Sequence, residues 1–327
     1  MDDQAGMSWR WSRFGLGALF ALPALIVAPF DTPLAVAFGI GVIPAAAFGL
    51  PPRRRGRAII PLVGALSALG LLVGSILSMW PVVAVLAMFL FGVLASVNAT
   101  RGRLGQLVLV LVLPMTGIGL SFSWSPVTLA FAGCIAVGSV YAWLVCLLWP
   151  ERDAPPLSPA PTPRGRAMLI YGCLLGTAAA AAACLGFVFE LQHVGWATGA
   201  VLLVMRPVRG QLITRSIGRA VSVLVGALVA AAMAVLAPGG IVIGLTVGVV
   251  IGAMCATQGS RWYVAPGFTT FLALTLILVT SPEPPAERFL ERTIETLIGV
   301  GLALLFGALI PTLLSLVPRR ATTSSLR

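Results

Sequence analysis

No lysine occurs anywhere in the 327 residues, and His193 is the single histidine. Charged residues of every kind amount to 9%, about a third of the usual globular share. A water-facing surface needs far more charge than this, so an ordinary soluble domain is excluded. Disorder is excluded too, because it requires low hydrophobicity. Apolar types make up 59% here, and the mean hydropathy is +1.03. One histidine rules out a multi-histidine metal site. The five cysteines, Cys134, Cys146, Cys173, Cys184 and Cys255, lie inside apolar runs and form no C-x-x-C. They read as small packing residues. There is no G-x-x-x-x-G-K-[ST] phosphate loop and no loop long enough for an ATPase module. ATP hydrolysis by this chain is therefore not expected, and nothing calls for a cofactor. An enzyme normally clusters polar residues in or beside its spans. Only arginine groups and one acidic cluster do so here, so the expectation is that the chain is not an enzyme.

What is present is apolar length. A membrane-crossing helix needs ~20 apolar residues, and in lipid each helix satisfies its own backbone. The apolar runs are near-continuous, unlike the short alternating segments of an outer-membrane barrel. The fold class expected is therefore all-α, a polytopic integral membrane protein with twelve transmembrane helices. Six lie at 14–30, 33–50, 58–77, 80–97, 104–122 and 127–149. Six more lie at 167–189, 194–205, 217–236, 241–257, 263–280 and 293–316. The eighth, 194–205, has about half the apolar length a span needs. Pro23, Pro44, Pro61 and Pro114 fall inside spans, where a missing N–H produces kinks.

Arginine positions supply the orientation. With the N-terminus cytoplasmic, 19 of the 21 arginines fall in cytoplasmic loops or ends, and only Arg288 and Arg292 fall outside. Positive charge concentrates on the inner side of a membrane. Both termini are thus expected in the cytoplasm of a bacterial inner-membrane protein. The net charge of +11 would suggest nucleic acid in a soluble chain. Here the clusters alternate with apolar runs, so no nucleic-acid role is expected.

Residues 150–166 read PERDAPPLSPAPTPRGR, a Pro-rich extended linker. It divides the chain into a six-helix unit at 1–150, the linker at 151–166 and a second six-helix unit at 167–327. The two units echo each other. Gly56-Arg57-Ala58 with Leu62-Val63-Gly64-Ala65-Leu66 matches Gly218-Arg219-Ala220 with Leu224-Val225-Gly226-Ala227-Leu228. Ala99-Thr100-Arg101-Gly102 echoes Ala256-Thr257-Gln258-Gly259, and Ile135, Val137 and Gly138 echo Ile298, Val300 and Gly301. Six spans per unit make these parallel repeats, related by a pseudo-two-fold along the membrane normal.

Chemistry-bearing residues are few. Arg215 and Arg219 share a helix face, and the repeat sets Arg57 opposite Arg219. A guanidinium gives a carboxylate two parallel hydrogen bonds, so Arg57, Arg215 and Arg219 are candidate substrate-binding residues. Arg206 and Arg209 read as plain inner anchors. On the outer side, Glu283, Glu287, Arg288, Glu291, Arg292 and Glu295 cluster. Arg288 with Glu291, and Arg292 with Glu295, have the spacing of helical ion pairs. Glu295 is the deepest carboxylate, and a carboxylate inside a membrane protein can carry a proton. Glu190, Asp31 and His193 sit at the outer mouth. These four are the proton-coupling candidates, with helix capping the alternative for Asp31, Glu190 and His193. Gly244, Gly248 and Gly252 repeat every fourth residue, which lets helices approach closely, within the chain or in a homo-oligomer. Trp80, Trp196 and Trp262 lie near span ends and read as an interfacial belt.

Trp196-Ala197, Val201-Leu202-Leu203-Val204, Arg215, Arg219 and Gly226 together resemble the fusaric acid resistance family of membrane proteins. In that family a Gly-Thr pair stands where Ser222 and Val223 stand here. Arg292, followed by Thr296-Leu297-Ile298-Gly299, resembles the family's closing helix, and the likeness is best over 190–310. The resemblance implies an inner-membrane exporter of aromatic or other organic acids. It also implies possible partners: a periplasmic membrane-fusion protein and an outer-membrane channel. A related branch, the plant aluminium-activated malate channels, pairs two six-helix units around an anion pore. Many members carry cytoplasmic domains after each six-span block, and this sequence looks like a short form without them. The expectation is a proton-coupled efflux transporter for small organic anions. The alternatives are a passive anion channel with its pore on the pseudo-two-fold, or a membrane scaffold component.

Overall fold

The computed structural model describes residues 8–151, 165–206, 212–258, 260, 264–281 and 283–316. Among these, every regular element is helical. The first half runs α1 (Trp11–Phe20), α2 (Leu22–Val27), α3 (Thr32–Gly41), α4 (Ile43–Phe48), a 3-10 turn at Arg54–Ala58, α5 (Ile59–Leu77), α6 (Pro81–Ala99), α7 (Arg103–Leu107), a π-helical stretch at Val108–Val112, α8 (Leu113–Gly119) and α9 (Pro126–Leu148). The second half runs α10 (Arg166–Val188), α11 (Val194–Val204), α12 (Leu212–Val235), α13 (Gly240–Ala256), α14 (Val264–Thr280), α15 (Pro285–Leu304), a π-helical stretch at Leu305–Leu309 and α16 (Ile310–Leu316).

Among the described residues, six helices are long and apolar enough to cross a membrane: Arg54–Leu77, Pro81–Ala99, Pro126–Leu148, Arg166–Val188, Leu212–Val235 and Pro285–Leu313. Shorter apolar helices cover Thr32–Phe48, Leu104–Gly119, Val194–Val204, Gly240–Ala256 and Val264–Thr280. Large apolar side chains coat the outside, among them Val82, Leu86, Leu148, Leu228 and Ile241. An exterior of this kind suits acyl chains rather than water, and the chain is membrane-embedded.

Proline explains most of the breaks. The helix bends at Ala21, just ahead of Pro23, and at Val42, just ahead of Pro44. Pro114 follows the π-helical stretch at Val108–Val112, and Pro311 follows the one at Leu305–Leu309. A π-bulge absorbs the hydrogen bond that proline cannot donate. Pro61 does not kink its helix. It lies in the first turn of α5, where a backbone N–H has no intrahelical partner to lose.

Small residues set the helix contacts. In lipid no hydrophobic force draws apolar helices together, so close backbone approach does the work. Gly92 of α6 meets Gly176 of α10, and Gly17 of α1 meets Ile251 and Gly252 of α13. Gly226 of α12 meets Gly267 of α14, and Gly74 of α5 meets Gly119 of α8. The packing partners come in matching sets. The α6–α10 contact has a counterpart in α13 against α1 and α2. In the same way α5 packs on α9 and α8, and α12 on α15 and α14. Likewise α3 lies on α9 as α11 lies on α15, and α8 touches α11 as α14 touches α3.

Gly244, Gly248 and Gly252 face α1 and α2, against Ala28, Leu25 and Phe14. A Cβ on Gly252 would stand 2.8 Å from the Phe14 ring. We predict that Gly252→Leu costs roughly 1–3 kcal/mol by overpacking, read as a lower thermal midpoint of the purified protein. Gly133→Ala, at a position with open space around it, should leave that midpoint unchanged.

Candidate functional site

The short helix α11 organises the site. Its 11 residues span ~16 Å, about half of a ~30 Å hydrocarbon core. Nearly every one of them is buried, enclosed by α8, α10, α12 and α15. A helix that ends inside a membrane is tolerated only where protein surrounds it. Its first turn is held by the Gly195 N–H, which donates to Ser121 Oγ at 2.9 Å.

Two long helices present charge to this short one. On α12 the buried residues Ser216, Arg219, Val223, Gly226 and Ala230 recur at helical spacing, while Ile213, Ile217, Val221 and Val225 face outward. Arg219 therefore points into the protein. On α15 the buried stripe is Arg288, Arg292, Glu295, Thr296, Gly299 and Ala303. The same helical period that buries apolar residues elsewhere here buries three charges.

Arg219 is 7% exposed, and its Nε has no hydrogen-bond partner. Among the described residues it makes no ion pair. The charges in its electrostatic reach are Arg292 and Arg206, both positive. The Arg292 guanidinium lies over the Trp196 ring, 4.1 Å from its centroid. Its Nη2 donates to Thr270 Oγ1 at 3.4 Å, and its Nε is unpartnered. The expected Arg292–Glu295 ion pair does not form, since Arg292 is drawn instead to the aromatic face and to Thr270. A cation over an indole gains energy from the ring quadrupole. Glu295 is fully buried, and neither carboxylate oxygen has a hydrogen-bond partner. The His193 backbone N–H points toward it without meeting hydrogen-bond geometry.

At the start of α15 the charges are paired. His193 Nδ1 lies 2.9 Å from Glu291 Oε1, and the imidazole stacks on Trp196 with centroids 4.2 Å apart. Arg288 pairs with Glu291 at 2.7 Å and also with Glu283, and it donates to Gln192. His193, Glu291 and Glu295 bring one ligand atom each within 4.8 Å of the others. Arg288 already occupies Glu291, and Arg292 stands near Glu295. The set therefore suits a proton better than a divalent cation, which two guanidinium charges would repel.

Other candidates lie elsewhere. Arg57 is fully buried but saturated. It donates to the carbonyls of Pro51, Pro52, Cys146, Trp149 and Pro150. This corrects its assignment to substrate: the guanidinium clamps the end of α9, whose last carbonyls have no intrahelical donor. Arg215 is half-buried near the start of α12, within electrostatic reach of Tyr171. Asp31 is exposed and caps α3, accepting from the Leu34 N–H at 2.9 Å. Glu190 is exposed in the turn after α10, with φ 49°. Neither Asp31 nor Glu190 joins the buried group. Arg209 and Trp262 fall outside the described residues.

Trp196 is not interfacial, being 5% exposed at the centre of the site. Sequence reasoning missed its role, along with Thr270 and Gln192. The signal available was Trp196 standing three residues after the only histidine, on the one span too short to cross. Between α12 and α14 lies a separate apolar groove of about 660 Å³, lined by Ile213, Ile217, Val221, Gly267, Phe268 and Phe271.

Residues 180–306 match the family model described as fusaric acid resistance protein-like. That stretch holds α11, α12, α14 and α15, so it contains Trp196, Arg219, Arg292 and Glu295. The family resemblance read from the sequence is borne out there, and it indicates a membrane transport or efflux role. No curated protein and no solved structure matches the chain.

Removing the Arg57 clamp should cost stability rather than specificity. Arg57→Gln strands buried carbonyls and is expected to lose roughly 2–4 kcal/mol. A lowered thermal midpoint, with unchanged transport per folded molecule, is the result to look for.

Proposed function

We propose that this protein is a bacterial inner-membrane efflux transporter for small organic anions, aromatic carboxylates foremost. The observation that carries the reading is Arg219, a buried guanidinium whose Nε is unpartnered, which has cations for charged neighbours and no ion pair among the described residues. A buried charge without a partner is costly, and an incoming carboxylate relieves that cost with paired hydrogen bonds. Arg215, nearer the inner end of the same helix, attracts the anion to that mouth. The inside-negative potential favours outward movement of each negative charge by about 2.3 kcal/mol per 100 mV. Glu295 is the proton-coupling carboxylate, reached from outside through His193 and Glu291.

The architecture we propose has twelve spans in two parallel six-helix repeats, 1–150 and 167–327, joined by the linker 151–166. The matching packing sets support it, because the main contacts of one half have counterparts in the other. Cytoplasmic termini are supported by the way the Arg-bearing ends gather. The Arg10 N–H donates to the Ala256 carbonyl, Arg13 to Gln258, and Gln258 to the Ala46 carbonyl. The Arg54 N–H donates to Glu151.

A pore on the pseudo-two-fold would draw charge from both repeats. At the offset that relates Ile135 to Ile298, the counterparts of Arg288, Glu291, Arg292 and Glu295 are Ser125, Thr128, Leu129 and Ala132. The charge belongs to the second repeat alone, which favours a path inside that repeat over an axial channel.

The test is Arg219→Ala in a strain that depends on this chain for resistance to aromatic acids. Resistance should vanish with the variant at wild-type abundance in the membrane. Full resistance at equal abundance would contradict the proposal.

A further inference from the structure

We propose that Arg219 and Arg292 form one seat for a carboxylate, with Trp196 as its aromatic wall and Glu295 as a built-in competitor for it. The proposal rests on the anion-export reading and adds the residues and the role of Glu295.

Charge decides the sign of the ligand. Arg288 is shared by Glu283 and Glu291, and His193 meets Glu291. Arg219 has Arg292 and Arg206 as its charged neighbours, and Glu295 and Glu291 are the carboxylates within reach of Arg292. Positive charge is in excess around Arg219, and buried sites of this kind strongly favour neutrality, so the ligand is an anion.

Open donors decide the position. Arg219 Nε and Arg292 Nε are both buried without partners. Thr270 already holds Arg292 from the α14 side. Carboxylate oxygens are the acceptors such donors lack. Trp196 already carries His193 and Arg292 against its ring, so the ring of an aromatic acid bound here would pack against the edge of that stack.

Glu295 faces charge from each neighbouring element. From α15 it faces Arg288, Glu291 and Arg292, and from the start of α11 it faces His193. The charges on α12 are Arg215 and Arg219, and α14 carries none. On α10 Arg166 is exposed at the first residue, and Glu190 beyond its far end is exposed as well. With Glu295 ionised, the anion meets a like charge beside Arg292. With Glu295 protonated, that repulsion is gone. Anion binding and proton binding therefore reinforce each other, by reciprocal linkage. His193 and Glu291, both partly exposed, are the proton's way in from the outer side.

The experiment is calorimetric titration of the purified full-length protein with benzoate, repeated with acetate, at pH 6 and pH 8, all variants sharing the wild-type elution profile. Wild type should bind one benzoate, more tightly at the lower pH. Arg219→Gln and Arg292→Gln should each weaken it by about tenfold or more. If Arg292→Gln does not fold, Arg292→Lys keeps the charge, loses the planar fork, and should still weaken binding. Trp196→Leu should weaken benzoate more than acetate. Glu295→Gln should tighten benzoate and abolish the pH dependence. Unchanged affinity in Arg292→Gln or Arg292→Lys, or weaker binding in Glu295→Gln, would overturn the seat. Benzoate export from vesicles separates the two readings. Export that survives Arg292→Gln at wild-type rate overturns the seat and leaves anion export standing. A wild-type protein that neither binds nor moves benzoate or acetate overturns both.

Discussion

A guanidinium buried without a counter-ion is the constraint on which the rest of this site depends. Arginine in a membrane protein must snorkel, pair or face water. Arg57 and Arg219 hold equivalent places in the sequence repeat and resolve this demand in opposite ways. Arg57 spends its donors on five backbone carbonyls at the end of α9. Arg219 keeps its Nε unpartnered, with Arg292 and Arg206 as its charged neighbours. The first arrangement is a structural clamp. The second leaves binding capacity for a ligand of opposite charge.

That capacity needs a rigid surround, which small residues supply. Glycine pairs bring α6 to α10, α1 to α13 and α12 to α14 at backbone distance. Gly299 of α15 likewise meets Ala197 and Ala200 of α11, so both helices that carry the buried charges are closely packed. Between them α11 stops half-way, and its Trp196 is stacked between His193 and Arg292. The outer pairs of Arg288 with Glu283 and Glu291 hold the start of α15 in place.

Much of this was legible in the sequence, for identifiable reasons. Helical class follows from apolar run length, since lipid forbids open backbone. The inward face of Arg219 follows from helical period, and so does the buried stripe of α15. The short span at 194–205 was visible as too short, although its place at the centre was not. Pairings across helices stayed hidden. A spacing of three permits Arg292 to meet Glu295, yet the ring of Trp196, nearly a hundred residues away in the chain, takes the guanidinium instead. Arg57 looked like the twin of Arg219 because the repeat preserves residue type. The carbonyls that saturate it come from the end of α9, and no local pattern announces them. Sequence position puts Asp31 and Glu190 at the outer mouth beside His193, but place along the chain says nothing of burial.

The central claim is that the transported anion rests on Arg219 inside the second repeat. The most direct measurement is a structure of the protein in lipid nanodiscs, determined with 4-iodobenzoate bound. The carboxylate is predicted against the Arg219 and Arg292 guanidiniums, with the iodinated ring along Trp196. Iodine density on the pseudo-two-fold between the repeats, or only in the apolar groove between α12 and α14, would contradict it.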